Sequence, residues 1–327
     1  MQQLAFDGMP RRLYPCTPTR LSTWLDCPRR YRMSYLDRPQ PPKGPPWAHN
    51  SLGASVHNAL ARWWRLPPWE RTVPAGGELL ERGWLTDGFA GDAQSALHRR
   101  RARAMVEAYV GNLDPAREPL GVERTVATRT DLIAVSGRID RLDERQEDGE
   151  LAVVDYKTGR HVLTVDDARA ALALALYALA AQRVMRRPCR RVELHHLPTG
   201  LILAWQHSQE SLSRQLGRAE DIAAECAAAD ARYVAGDRGD LAFPPSPGAG
   251  CGWCDFRAHC PEGSAAGRPR RSWDGLAEVP DPQPPLPGSQ PVPEPAVPEP
   301  TGPELAVNDG PAGRPSSPAA GNRDRSG

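Results

Sequence analysis

Lysine is nearly missing from this 327-residue chain: of 41 basic residues only Lys43 and Lys157 are lysines. A chain that otherwise uses arginine for solvated positive charge keeps these two against its own bias, so each is a candidate for work a guanidinium cannot do. Long apolar runs are missing too. No stretch approaches the roughly 20 apolar residues needed to cross a bilayer, which excludes a helical membrane span. The opening Met1-Gln2-Gln3-Leu4-Ala5-Phe6-Asp7 has no basic segment followed by an apolar one. A secretory leader is therefore not expected, and the expected location is cytoplasmic. No G-x-x-x-x-G-K-[ST] phosphate loop occurs, so ATP-driven unwinding would need a motor in trans. A formal net charge of +1 is too weak a bias to argue for a polyanionic partner by itself. Seven cysteines in a chain of this kind point to free thiols or metal ligands rather than a disulfide scaffold.

Proline, in contrast, is abundant and unevenly placed. Of 35 prolines, 14 lie between Pro280 and Pro318, where large apolar residues are few. Such a segment cannot bury enough surface to offset its ordering entropy. Residues 291 to 300 read as extended polyproline II. The expected organisation is one folded domain over 1–262 and a disordered Pro-rich tail over 263–327.

Within the domain, 151 to 157 is a short apolar run closed by Thr158-Gly159, and 131 to 142 is a second strand candidate. Asp148-Gly149 between them is a turn signal. A hairpin centred near Glu147 and Asp148 pairs residues whose numbers sum to about 295, a condition Asp140 and Asp155 meet. Side chains directly opposed across strands stand about 4.5 to 5.5 Å apart at Cβ, close enough for two carboxylates to share one cation. Asp155 and Lys157, two apart, project from the same strand face. Hard oxygen ligands of this kind suit Mg²⁺ or Mn²⁺. Taken alone, an Asp-x-Lys pair is a surface ion pair.

Val56, Leu60, Trp63 and Trp64 recur at helical spacing, with His57 beside their stripe. Thr164 is placed to cap a long buried helix from Val165 to about Met185, which carries Tyr177, by itself a core aromatic. A helical cap is expected from segments such as Leu79 to Leu113. Arginines at 99, 100, 101 and 103 lie on that cap, and Arg29, Arg30, Arg186, Arg187, Arg190 and Arg191 lie elsewhere; all are candidates for phosphate contacts, or solvated surface.

Cys251, Cys254 and Cys260 stand within ten residues of each other in a Gly-containing loop, which is metal-ligand spacing. A fourth ligand is needed, and Cys27 is the best candidate although 224 residues earlier. Four thiolates suit an iron-sulfur cluster or zinc, and His259 leaves a Cys₃His zinc site open. Cys16, Cys189 and Cys226 have no partners at useful spacing and read as structural.

In this order the motifs resemble the RecB-like exonucleases of the PD-(D/E)XK superfamily, particularly their iron-sulfur members, which include the AddB nuclease domain and the small CRISPR-associated exonucleases. The segments Ser22–Tyr31, Gly53–His57, Gly137–Arg141, Val154–Gly159 and the cysteine triplet carry the resemblance across residues 17 to 262. It implies a restriction-endonuclease-like α/β fold: a mixed central sheet flanked by helices, with a helical cap and an iron-sulfur staple joining the two ends of the domain. It implies that His57, Asp140 and Asp155 bind Mg²⁺ or Mn²⁺, that Lys157 positions the attacking water, and that Tyr177 belongs to the catalytic set. Cys27, Cys251, Cys254 and Cys260 would hold a [4Fe-4S] cluster, with zinc the alternative occupant. DNA, as single strands or duplex ends, is the implied substrate, in repair or recombination, with a helicase as partner. The chain departs from the family at Ala173, where Gln-x-x-x-Tyr is usual. The other reading is a non-cleaving DNA-binding scaffold on the same fold.

Overall fold

The computed structural model describes residues 13–276. Most of the Pro-rich stretch expected as a tail, from 277 onward, lies outside the described residues, as do 1–12. The elements are β1 (Tyr14–Cys16), α1 (Pro18–Asp26), α2 (Pro28–Tyr35), α3 (Ala48–Trp64), α4 (Val73–Arg82), α5 (Asp92–Val110), β2 (Gly121–Arg129), β3 (Ile133–Glu144), β4 (Leu151–Lys157), α6 (Val165–Ala170), α7 (Leu172–Met185), β5 (Cys189–His196), β6 (Leu201–Gln206), α8 (Gln209–Val234) and α9 (Pro261–Ala265).

One six-stranded mixed sheet forms the centre. β3 is its longest strand. Antiparallel β2 pairs along one edge of β3, from Ala134 to Leu142. On the other edge, parallel β1 covers Ile133 to Val135 and antiparallel β4 covers Arg141 to Glu144, so 136 to 140 have no strand partner on that side. β5 then pairs parallel to β4, and β6 antiparallel to β5. The β3–β4 turn falls where Asp148-Gly149 signals it: Gly149 takes φ 68°, and the Asp148 carboxylate accepts the Glu150 N–H. The register sums to 295, as expected.

Helices cover both faces, which is why 151 to 154 are apolar without alternation and all buried. On one face α3, α4 and α5 pack Val56, Leu60, Trp63, Leu80 and Val106 against Val154 and Tyr156. On the other, α7 packs Leu174, Ala175, Ala178 and Ala181 against Ile139, Leu142, Leu151 and Val153. A third cluster joins α1, α2 and α8 to β1 through Leu21, Tyr31, Ile222 and Phe243.

Two expectations need correction. The helix expected to run unbroken from Val165 to about Met185 is two, because Ala171 leaves helical geometry with ψ 95°. The Thr164 cap is present, closed reciprocally by Asp167. No glycine or proline marks the break. It is imposed by packing, since α6 lies on β6 while α7 lies on β2 and β5. Second, the domain does not stop at 262. α9 crosses that boundary, Trp273 and Leu276 pack into the α3 cluster, and Ser272 O accepts the Ala48 N–H.

Candidate active site

The unpaired edge of β3 ends at Asp140, directly across from Asp155, and there the ladder gives way to a side chain. Asp140 Oδ2 accepts the Tyr156 N–H at 2.9 Å, replacing the strand carbonyl that would otherwise take it. The two strands therefore part where their carboxylates meet. Asp140 Oδ1 lies 3.3 Å from Nδ1 of His57, delivered by α3. The other ring nitrogen, Nε2, is 3.1 Å from Tyr156 O. A carbonyl only accepts, so Nε2 carries the proton, and Nδ1 faces Asp140 as a second acceptor unless a proton or a cation stands between them.

Burial opposes charge on His57, but Asp140, Asp155 and Glu123 together raise its pKa. Asp155 is raised by burial, against the pull of Lys157. Its Oδ2 lies 2.6 Å from Lys157 Nζ, an ion pair of close approach that lacks hydrogen-bond alignment. The close seating of α3 explains part of its motif. A Cβ on Gly53, one turn before His57, would meet Thr158 Oγ1 at 3.3 Å.

Glu123 was not singled out from the sequence. Its carboxylate, a His57 ring nitrogen and an Asp140 oxygen all lie within 4.8 Å of one another. Glu123 stands across from Asp140 in the β2–β3 register, yet it is skipped in the ladder and takes φ 50°. A non-glycine residue in the left-handed region costs of order 1 kcal/mol or more, strain typical of functional sites. Burial raises its pKa, and Arg138 Nε pairs with it at 2.7 Å. The only sequence signal was a lone glutamate in a strand. His57, Glu123 and Asp140 form a donor set of one nitrogen and carboxylate oxygens, which fits a hard divalent cation. Asp155, expected as a ligand, stands beside this group, ion-paired to Lys157, and is not part of it.

Tyr177 is also brought to this place. A Cβ on Gly137 would come within 2.3 Å of its ring, so the ring lies directly on the bare β3 backbone. Burial raises the hydroxyl pKa, and the Asp155 and Asp140 carboxylates add to it. Ala173, one turn earlier on α7, offers no polar group.

The four cysteines expected to act together line one cavity of about 330 Å³, with Arg29, Arg30, Met33 and Phe256. Three of the four sulfurs accept a backbone N–H: Cys27 takes that of Arg30 at 3.5 Å, Cys251 that of Gly248 at 3.4 Å and Cys260 that of Gly263 at 3.3 Å. Cys27 and Cys260 do so as the N-caps of α2 and α9. No three of these sulfurs lie within 4.8 Å of one another. His259 is not in the cavity wall; its Nε2 donates to Pro42 O. Cys16, Cys189 and Cys226 are buried, and burial pushes their thiols up to about 11, 12 and 12, which makes them inert.

Most arginines considered for phosphate contacts have acidic partners. Arg29 is buried between Asp240 and Glu262, and Arg103 pairs with Glu81 and Glu107. Arg187, Arg190 and Arg191 pair with Glu144, Glu150 and Glu193. Arg103–Glu107 and Arg191–Glu193 are neighbours on one helix and one strand, whereas the partners of Arg29, Arg187 and Arg190 come from distant elements and are invisible in a linear reading.

A search of curated proteins found no match. The sequence profile of the PD-(D/E)XK nuclease superfamily matches residues 15–261, a span that begins in β1, ends at the start of α9 and contains His57, Asp140, Asp155, Lys157 and all four cavity cysteines. That match covers well over half of the chain, so this protein belongs to the PD-(D/E)XK nuclease superfamily.

Proposed function

We propose that the protein is a divalent-metal-dependent deoxyribonuclease of the RecB-like, iron-sulfur type, acting as an exonuclease on single strands or duplex ends. The observation that carries this reading is the meeting of His57, Glu123 and Asp140 beside the Asp155–Lys157 pair at the parted strand ends. These side chains fit Mg²⁺ or Mn²⁺: His57 Nδ1 and the Glu123 and Asp140 carboxylates gather one nitrogen and hard oxygen donors at one point. A divalent ion held there supplies charge neutralisation at the phosphodiester and acidifies a water. The chain's own contribution is positional. Asp140 is anchored by the Tyr156 N–H and His57 by Tyr156 O, so both ligands are oriented by the backbone of one β4 residue. Lys157, half exposed at the strand end, directs its ammonium group to the attacking water and to the charge that develops on the phosphate. Tyr177 closes the α7 side.

The cysteine cavity supports a [4Fe-4S] cluster over zinc. A tetrahedral zinc site with Zn–S near 2.3 Å holds its sulfurs roughly 3.8 Å apart, closer than any three sulfurs here. Three backbone N–H groups donate to three of the four sulfurs, and hydrogen bonds to cluster sulfurs are a recurrent feature of such sites. Bound in this way, the cluster would join α2 to the segment 251–260. A cytoplasmic role in DNA repair or recombination, with a helicase in trans, follows from the same reading. The second reading, a DNA-binding scaffold without cleavage, is favoured by Ala173.

The test is anaerobic purification, a visible spectrum, and incubation with end-labelled single- and double-stranded DNA in Mn²⁺. Brown protein that releases nucleotides from ends supports the nuclease. Brown protein that only retards DNA on a gel supports the scaffold.

A further inference from the structure

Away from the parted strand ends, a groove of about 770 Å³ opens between the end of β2, the end of α7 and the start of α8. Arg129, Arg183, Arg186, Arg187 and Arg190 line it, and no acidic residue does. Arg187 and Arg190 are held by Glu144 and Glu150. Arg129, Arg183 and Arg186 make no ion pair among the described residues, although Arg183 donates to Arg129 O at 3.4 Å. Like charges gathered without counter-charges repel each other in the empty groove, and a polyanion removes that cost. Thr128, Gln182 and Gln209 add neutral donors of the kind that contact phosphate oxygens. Leu179 and Leu216 give the groove an apolar floor.

Two rulers place the groove relative to the active site. Arg186 is nine residues beyond Tyr177 along the α7 direction, about 14 Å at 1.5 Å per residue. Arg129 is six residues beyond Glu123 along β2, about 20 Å at 3.4 Å per residue. Along a nucleic-acid strand these distances correspond to about four to six nucleotides of B-form rise.

We propose that this arginine groove is a second nucleic-acid site, which holds the sugar-phosphate backbone of the substrate strand about four to six nucleotides from the bond that is cut. The proposal rests on the nuclease reading for the identity of the polyanion. Three unpaired guanidiniums provide sequence-independent affinity, and the site keeps a long strand engaged while the active site works on its end.

The experiment compares wild type with Arg129→Ala/Arg183→Ala/Arg186→Gly, the glycine keeping the left-handed backbone at 186, where φ is 52°. Affinity for a 20-nucleotide single strand is measured by fluorescence anisotropy without divalent metal, across a salt series, and cleavage of a trinucleotide is measured in Mn²⁺. We expect the variant to bind the 20-mer about 10-fold or more weakly, with a salt slope smaller by about 2, since each single-strand phosphate contact contributes roughly 0.7. Trinucleotide cleavage, out of reach of the groove, stays at the wild-type rate. Arg129→Lys/Arg183→Lys, which keeps the charge, retains the slope, and it serves as the folded control if the triple variant melts early. Unchanged affinity and slope in the triple variant, or an equal loss on the trinucleotide, overturns the groove. Wild-type protein that binds the 20-mer with the expected slope and cleaves nothing overturns the nuclease reading and leaves the groove standing.

Discussion

Lys157 illustrates how far one residue can be read. Its rarity in an arginine-rich chain marked it, and its ion pair with a buried, raised Asp155 at a parted strand end gives the mark a chemical meaning. Lys157→Arg keeps the charge but delivers it from a planar fork at a different reach. Misplacing a catalytic group by about 1 Å costs on the order of 100-fold in rate. The expected outcome is normal folding and DNA binding with initial cleavage rates lowered by about that factor, read from labelled-end release in Mn²⁺. Glu123 makes the opposite kind of case. Glycine accepts φ 50° without strain, so Glu123→Gly should raise stability by about 1 kcal/mol while weakening metal affinity and slowing cleavage. Thermal melts and Mn²⁺ titration read the two effects separately, and a drop in melting temperature would remove strain as the explanation of its backbone. No feature of the sequence distinguished Glu123 from other strand glutamates, because what singles it out is a backbone angle and a partner on another strand.

At the scale of elements, β5 and α2 carry the clearest expectations. Glu193 on β5 resists the upward push of burial because His195 and Arg191 bind it, and its pKa is held at about 2 against an ordinary 4.5. A carboxyl lowered on folding adds stability above its unfolded pKa and loses it as pH falls through the folded one. Denaturant stability should therefore decline between about pH 5 and pH 2 by roughly 3 kcal/mol from this group, and Glu193→Gln should flatten that part of the profile. For α2, Cys27 is both N-cap and cavity wall. Metal held at a site absent from the unfolded chain contributes directly to folding, so Cys27→Ser should bleach the visible absorbance and lower the melting temperature. Full colour in that variant would move the fourth ligand elsewhere. The hairpin register was legible because a turn signal and a period-2 pattern are local. The break between α6 and α7 was not, since both halves are good helix formers and only their different seats on the sheet separate them.

For the molecule as a whole, the extent of the folded domain was the poorest inference from composition. Residues 263–276 are polar and arginine-rich, which reads as tail, but Trp273 and Leu276 bury against α3, the helix that delivers His57. Truncation after Ser264 should lower the melting temperature and nuclease rate together, whereas truncation after Leu276 should leave both unchanged; equal behaviour of the two would make the Trp273 contact idle. What the sequence by itself determined was local or periodic: the β3 and β4 strands and their register, the amphipathic α3, and the candidates Asp140, Asp155, Lys157 and the four cysteines. Their meeting was decided only in three dimensions. Ligand distances of a few ångströms depend on where β3 loses its partner, on the backbone of Tyr156 in β4 that orients both His57 and Asp140, and on two chain ends 224 residues apart closing around one cavity. Those are long-range packing outcomes, set by the burial of α3 and α7 on opposite faces of the sheet, and no spacing along the chain encodes them.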